Sequence, residues 1–566
     1  MKANITDVPV LISGGGPVGM TLALELARYG IRTLLVEKNP ETTRHPKMDI
    51  TNGRSMELFR RLGIVNNLRA AGVSAENPFD VSWITSLVGH ELHRFRYETP
   101  NEFGQRIRKD NNGQQPVEPP LRVSQVVIEP VLKAAIDANP LIDVRFGTRF
   151  SRIVSQDENG VTSEVVSPSG ETLVIRSAYL AGCDGGGSKV RAELGINLDG
   201  QFEFARAFMV HFRSEDRALL QRWGKTWHYQ NAFGSLIAQN DVDIWTLQAW
   251  ILPGMDESQM TPEGVLESWV GRKFDYEILQ ANPWGAHFVV AQQYVSGRVA
   301  IAGDAAHQYV PTGGYGMNSG IADAAGLGWV LAAMINGWGG PHLLEAYDQE
   351  RRPVAWNCLN ASKRHMGVRI AIGDVYMDSG DLEDDSPDVE QRRIAAAQRI
   401  EKLGNAENES WGVELGYRYD HSPVIFSDDN ATPVDPLIYE GATWPGARLP
   451  SVFLDDGSAL HDHLGLYFTL IVMGEHDVSA FEKAAAEARI PLKILRPQGE
   501  AVKRVMDYPL ILVRPDQHIA WRGDLTPLDC GQVLKTVAGF CTSQNTDKDK
   551  KIHADVSRLT ASQEGQ

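Results

Sequence analysis

"VPVLISGGGPVGMTLALELARYGIRTLLVEK" (Val8–Lys38) reads as a short apolar strand, a glycine turn, a helix ending at Gly30 and a second apolar strand. A strand–helix–strand order of this length implies a parallel pair joined by a right-handed crossover. Gly14, Gly16 and Gly19 form G-x-G-x-x-G directly after the first strand, Pro17 opens the helix, and Glu37 ends the second strand just before Lys38. The first glycine makes the turn, the second lets a pyrophosphate approach the backbone, and the third lets helix and strand pack closely. Glu37 stands where a carboxylate accepts both hydroxyls of a ribose. The spacing predicts an adenine dinucleotide and does not by itself separate FAD from NAD.

The chain has 566 residues, which favours several domains rather than one core. With 43% apolar and 22% charged residues it has the composition of a globular protein with a sizeable core. A net charge of −17 and the lack of a Lys/Arg block argue against a nucleic-acid partner. The longest apolar run, "AAGLGWVLAAMI" (Ala324–Ile335), is shorter than the roughly 18 residues of a membrane span and reads as a buried helix, so no membrane partner is expected. The amino terminus enters an apparent strand within about ten residues, so no signal peptide is expected. Cys183, Cys358, Cys530 and Cys541 lie far apart without CxxC or zinc spacing. Reduced thiols in a cytoplasmic protein are the expectation.

Further along, "NGRSMELFRRLGI" and "QVVIEPVLKAAIDA" read as helices, and the stretch ending in "RKDNNGQQPVEPP" (Arg108–Pro120) as an exposed loop. A β-meander with DENG and SPSG turns follows, returning to a buried strand at "AYLAGCDG". Phe202 to Gln293 is strand-like and rich in aromatics, and its Trp-rich part from Trp223 to Trp250 is expected to be mostly core, with a few side chains facing a substrate. "DSGDLEDDSPDVE" (Asp378–Glu390) reads as a solvated loop.

Two more stretches carry chemistry: "AGCDGGGSKVR", with Asp184, Gly185 and Arg191, and "GRVAIAGDAAHQYVPTGGYGMNSGIADAAGL". The second places Gly303 and Asp304 after a strand, then Pro311, a loop with Gly313, Gly314 and Gly316, and a helix near Met317 and Asn318. Glycines fit where φ is positive or something approaches the backbone closely, and a helix amino end favours an anion. Together with the first glycine motif and "YDQERRP" (Tyr347–Pro353), these stretches resemble the single-component FAD-dependent aromatic monooxygenases, the para-hydroxybenzoate and phenol hydroxylase group. The resemblance covers nearly the whole chain.

It implies an α/β fold: a Rossmann-like FAD-binding domain (residues 1–76, 121–200 and 293–400) interleaved with an α+β substrate part (77–120 and the sheet 201–292). A linker (401–440), a thioredoxin-like α/β domain (441–543) and a flexible tail (544–566) would follow. That last domain lacks CxxC, so packing or a homodimer contact is its expected role rather than dithiol chemistry.

The resemblance also implies FAD as cofactor and NAD(P)H as a transient co-substrate. From Gly185 no second G-x-G-x-x-G is completed, because Val190 stands where the third glycine would be, so a separate NAD(P)H domain is not expected. Asp304 would contact the ribityl or pyrophosphate region, Arg44 and Gln125 the FAD, and Asp184 both cofactors. The Gly316–Asn318 helix end would favour negative charge at the flavin N1–C2=O. The implied mechanism adds O2 to reduced flavin as a C4a-hydroperoxide that attacks a small aromatic, phenolic substrate. A phenolate reacts faster, so a base would help. In "HPKMDITNGRSMEL", Asp49 is spaced from Arg54 like the active-site aspartate of phenol hydroxylase. His45, His228, Tyr229 and Tyr315 are further candidates.

For Asp49 the rival reading is a helix cap, and for the others a satisfied structural residue. His90/His93 and His461/His463 lack a third ligand, so no metal is expected. The halogenase W-x-W-x-I-P and Baeyer–Villiger F-x-G-x-x-x-H signatures are absent. Epoxidation or loss of a nitro or halogen group remains an alternative outcome. A flavin-binding NAD(P)H oxidase without oxygenase activity is the alternative of another class.

Overall fold

The computed structural model describes residues 5–428, 430–527 and 529–543, so the expected tail 544–566 lies outside the described residues. The chain forms two compact units. The first takes the described residues up to Gly328 with Arg352–Gly416 and Asp435–Glu440; the second takes Trp329–Arg351, Tyr417–Val434 and the described residues from Gly441 onward.

At the centre of the first unit, strand Ile5–Ser13 lies parallel between Thr33–Glu37 and Thr172–Gly182, with Ile142–Phe146 and Val299–Ile301 outside them. The register sets Ser13 beside Val36 and Gly182, and Gly182 beside Ile301. Four strands therefore end at one edge, and the glycine stretches after Ser13, Gly182 and Ile301 meet there although they are far apart in sequence. Ligands of open parallel sheets bind at such carboxyl ends. The meander strand Gly160–Val166 continues this sheet antiparallel to Thr172–Gly182, and Arg149–Asp157 pairs antiparallel with Gly160–Val166 in turn.

An eight-stranded second sheet runs from His307–Gln308 through Glu277–Ala291, Leu198–Arg213, Ile244–Ile251, Gly234–Ala238 and His228–Asn231 to Val81–Ile84 and Glu91–Phe95. One face holds a core of Phe212, Tyr229, Trp245, Leu247 and Trp269. Successive strand residues point to opposite faces, so His228 and Gln230 leave this core where Tyr229 enters it.

Helix Tyr315–Ile335 is long and apolar enough to cross a membrane, but most of it is buried inside the protein. The stretch Arg108–Pro120 is not the exposed loop its polarity suggested. It begins inside helix Pro100–Asp110, which a Thr99–Glu102 capping box starts. Its Pro116, Val117 and Glu118 are buried, because Glu118 accepts from Arg60 (2.6 Å) and Arg69 (2.6 Å).

The second unit contains a four-stranded sheet in the order Leu492–Leu495, Phe468–Val472, Leu510–Val513, Ile519–Gly523. The first pair is parallel, crossed over by helix Ser479–Ala488; the other pairs are antiparallel, and helix Cys530–Val537 follows. This is the thioredoxin-like arrangement.

Glu350 of the "YDQERRP" motif belongs to this unit and grips the buried Arg514 at 2.5 and 2.8 Å, while Ser422 donates to it at 2.6 Å. Asp516 also pairs with Arg514. Removing one partner of a buried pair leaves an uncompensated charge. Glu350→Ala is therefore expected to cost about 3 kcal/mol, checked by denaturant unfolding; an unchanged midpoint would refute it.

Candidate active site

Gly14 has φ +114°, and a Cβ there would lie 2.2 Å from the Cys183 carbonyl oxygen; one at Gly19 would lie 2.0 Å from the Gly14 oxygen. Both glycines are thus required by close packing of turn, helix and neighbouring strand. Gly16 differs: it caps helix Pro17–Arg28 without a side-chain bond, and a Cβ on it would meet open space. Glu37 accepts from the Gly15 N–H (2.7 Å) and from Asn39 (2.8 and 2.7 Å). Lys38 and Arg44 are exposed, Arg44 paired with Glu41 at 2.6 Å. Gln125 is buried and donates to Glu129 at 2.7 Å.

The other two glycine stretches are tied together. Arg191 donates to the carbonyls of Ala305 (2.8 Å) and Gly186 (2.9 Å). Asp184 spends its carboxylate on Ser188 Oγ and the N–H groups of Lys189 and Val190, so it caps a short helix. Gly303 has φ +63° and donates its N–H to buried Asp323, which also binds His307 Nε2 at 2.8 Å. Asp323 thereby fixes the turn that exposes Asp304, whose carboxylate has no hydrogen bond among the described residues.

The glycine loop leads into a helix that starts at Tyr315, ahead of the expected Met317. Pro311 is exposed at the loop's start, and Gly314 packs so tightly that a Cβ would lie 2.5 Å from Ile50. Asn318 accepts from the Asn52 N–H (3.1 Å) and donates to the carbonyls of Gly314 (2.7 Å) and Ile50 (3.2 Å). Its side chain therefore pins the loop to the Asp49 segment. Half-buried Gly316 faces open space.

A cavity of about 340 Å³ opens beside this loop, within the roughly 300–1,000 Å³ of small-molecule sites. Asp49, Trp227, His228, Gly313 and Gly314 line it from one set of elements; Tyr97, Phe103, Arg106, Arg369, Glu407, Glu409, Trp411 and Glu414 line it from others. Asp49 Oδ2 accepts from Trp227 Nε1 at 2.5 Å and lies 3.2 Å from His228 Nε2. Burial disfavours its charge, but the His228 ring, the indole N–H and Arg122 outweigh that and hold the carboxyl below the usual carboxylate range.

Of the other catalytic candidates, Tyr229 is not at the cavity. It packs in the sheet core and donates to the Gly224 carbonyl at 2.9 Å, with burial pushing its phenol up. Tyr315 is buried behind the loop, its hydroxyl 3.0 Å from His365 Nε2. His45 is half-buried and absent from the cavity lining. Residues 407–414 were missed, since they fall in the stretch read as a linker. Asp323 was missed because nothing local marks it.

The residues present fit FAD. Open space at Gly16 beside a helix amino end suits a pyrophosphate, exposed Asp304 stands unpartnered at the same edge, and the space above Gly316 suits a flat ring.

Residues 7–362 match the FAD binding domain family, and residues 442–539 the C-terminal domain of aromatic-ring hydroxylases. The FAD-dependent monooxygenase apdD of Emericella nidulans is 37% identical over 94% of this chain and 90% of its own. Phenol 2-monooxygenase of a Pseudomonas strain is 29% identical over 95% and 94%. The crystal structure of the flavin-dependent monooxygenase PieE with FAD and substrate superposes with a TM-score of 0.84 at 29% identity, covering 94% of this chain and 98% of that one. A dinucleotide edge, a cavity on the glycine loop and both family matches fall on one polypeptide, which belongs to the FAD-dependent aromatic monooxygenases.

Proposed function

We propose that the protein hydroxylates a phenolic ring, with NAD(P)H and O2 as co-substrates and Asp49 as the acceptor of the phenol proton. The observation that carries this is the Asp49 carboxyl, held by Trp227 and His228, on the wall of a cavity bordered by Gly313 and Gly314. Bound FAD, reduced by NAD(P)H, supplies the activated oxygen.

The chain's own residues bind and orient. The Gly14–Pro17 turn and the helix behind it would take the pyrophosphate, Glu37 the ribose, Asp304 the ribityl side, and the Gly314–Gly316 backbone the ring. Asp49 Oδ2 is engaged by Trp227 and His228, which leaves Oδ1 to accept the phenol O–H. Gln230 Nε2 lies 3.4 Å from His228 Nδ1. A donor there makes Nδ1 the acceptor and puts the ring proton on Nε2, facing Asp49. His228 is thus a positioning residue for the carboxylate. A phenol that gives its proton to Asp49 becomes a more nucleophilic ring, which is what an electrophilic oxygen requires.

The test is NAD(P)H oxidation by the FAD-loaded protein with a panel of phenols, with peroxide counted and product masses read. Stimulation by one phenol, little peroxide and a product heavier by one oxygen is expected. Peroxide equal to the NAD(P)H consumed, whichever phenol is added, would replace this reading with an oxidase.

A further inference from the structure

The cavity's acidic side chains are matched, with one exception among the described residues. Glu98 receives Arg106 at 3.0 and 2.8 Å, and Glu407 receives Arg369 through paired contacts of 2.9 to 3.2 Å. Glu409 accepts from the Tyr97 hydroxyl at 2.7 Å, and Asp49 from Trp227 and His228. Glu414, on the short helix Trp411–Leu415, lines the same cavity and has neither a hydrogen bond nor an ion pair. Its wall is aromatic, with Trp411 stacked on Phe103 at 5.5 Å. Glu414 is half-buried, and a carboxyl that lines a ligand cavity with no protein partner among the described residues is free to bond a ligand there.

We propose that Glu414 is a specificity-determining residue whose neutral carboxyl donates a hydrogen bond to a carbonyl oxygen carried by the substrate outside the ring that is hydroxylated. This rests on the phenol hydroxylase reading. Burial pushes Glu414 up to about 8. The cations facing it are already engaged, Arg106 by Glu98 and Arg369 by Glu407. Tyr315, which feels the Glu414 charge, is tied to His365, itself held down to about 4 by burial. At neutral pH Glu414 is therefore an acid with a proton to share. Its position in the cavity, reached from a different element than Asp49, selects substrates that span both carboxyls.

Two measurements on the FAD-loaded full chain test this. The first is thermal unfolding without substrate. A folded-state value raised above the unfolded value of roughly 4.3 means that the folded protein holds a proton the unfolded chain has released. Stability is therefore lost as pH rises from that value toward about 8. Glu414→Gln removes the loss, so its Tm should exceed that of the wild type at pH 9 and converge with it near pH 5. A constant difference across pH overturns the neutral acid.

The second is binding of 4-hydroxybenzyl phenyl ketone against 4-hydroxybibenzyl, read by perturbation of the flavin spectrum. These phenols differ by a carbonyl insulated from the phenol ring. The wild type should prefer the ketone by about tenfold at pH 6.5 and lose the preference at pH 9.5. Glu414→Gln, which keeps a donor, should hold a preference at both, and Glu414→Leu at neither. An equal preference in Glu414→Leu, or a wild-type preference that grows with pH, overturns the proposal. Binding of both phenols without discrimination overturns it alone; binding of neither overturns it together with the phenol hydroxylase reading.

Discussion

Asp49→Asn should lower hydroxylation at neutral pH by a factor on the order of 10² to 10⁴ while reduction of the flavin by NAD(P)H continues. The substitution keeps the shape and an acceptor for Trp227, but an amide cannot hold the phenol's proton. His228 also loses the anion that orients it. NAD(P)H consumption should persist with peroxide as the product. The pH profile identifies the role: the variant should recover as pH nears the phenol's own value of about 10, where solvent removes the proton instead. In the wild type, a carboxyl held below its ordinary range stays ionised throughout the neutral region. The acid limb owed to Asp49 should therefore lie below the usual carboxylate range. An Asp49→Asn enzyme with wild-type hydroxylation at pH 7 would end the assignment.

Gly14→Ala should yield protein without FAD and with strongly reduced stability. The φ of +114° strains any L side chain by about 1–3 kcal/mol. Its Cβ would also meet backbone, the Cys183 carbonyl at 2.2 Å and Asp184 Cα at 2.9 Å, so no rotamer relieves the collision. Two neighbouring strand ends would have to part, and the edge that receives the cofactor parts with them. Gly16→Ala is the matched control. Its Cβ meets nothing in the protein, so stability without FAD should hold while FAD affinity falls, because the methyl would occupy the space proposed for the pyrophosphate. Colour loss and apoprotein Tm read the two effects separately. Full FAD retention in Gly16→Ala would contradict the placement of the pyrophosphate.

The glycine-rich edge of the parallel sheet was legible because its requirements are local. A turn with positive φ needs glycine, a helix packed on a strand needs glycine, and Glu37 is placed by the length of one strand–helix–strand unit. The Gly303 turn and the loop before Tyr315 were legible for the same reason, and the resemblance to aromatic hydroxylases follows from these stretches together. Asp49 was singled out by its spacing within one segment.

Its partners were another matter. Trp227 and His228, at the start of strand His228–Asn231, reach Asp49 from nearly two hundred residues away, and Gln230 stands behind them. Alternation along His228–Asn231 says that His228 and Tyr229 face opposite sides of a sheet; it cannot say which side is the core. That was decided by packing of Phe212, Trp245 and Trp269 on the Tyr229 face, so Tyr229 belongs to the core and His228 to the cavity.

The polar text of residues 401–440 looked like a linker because Glu407, Glu409 and Glu414 are charged groups by their chemistry. Their states are not intrinsic to the residues. Arg369, from a distant helix, keeps Glu407 ionised, whereas Glu414 has only burial and is driven neutral. Sequence alone determined the glycine-rich edge of the parallel sheet and the family, through short-range steric rules. The proton states and the shape of the substrate cavity were decided by tertiary structure, because desolvation and ion pairing depend on which distant segments come to share one space.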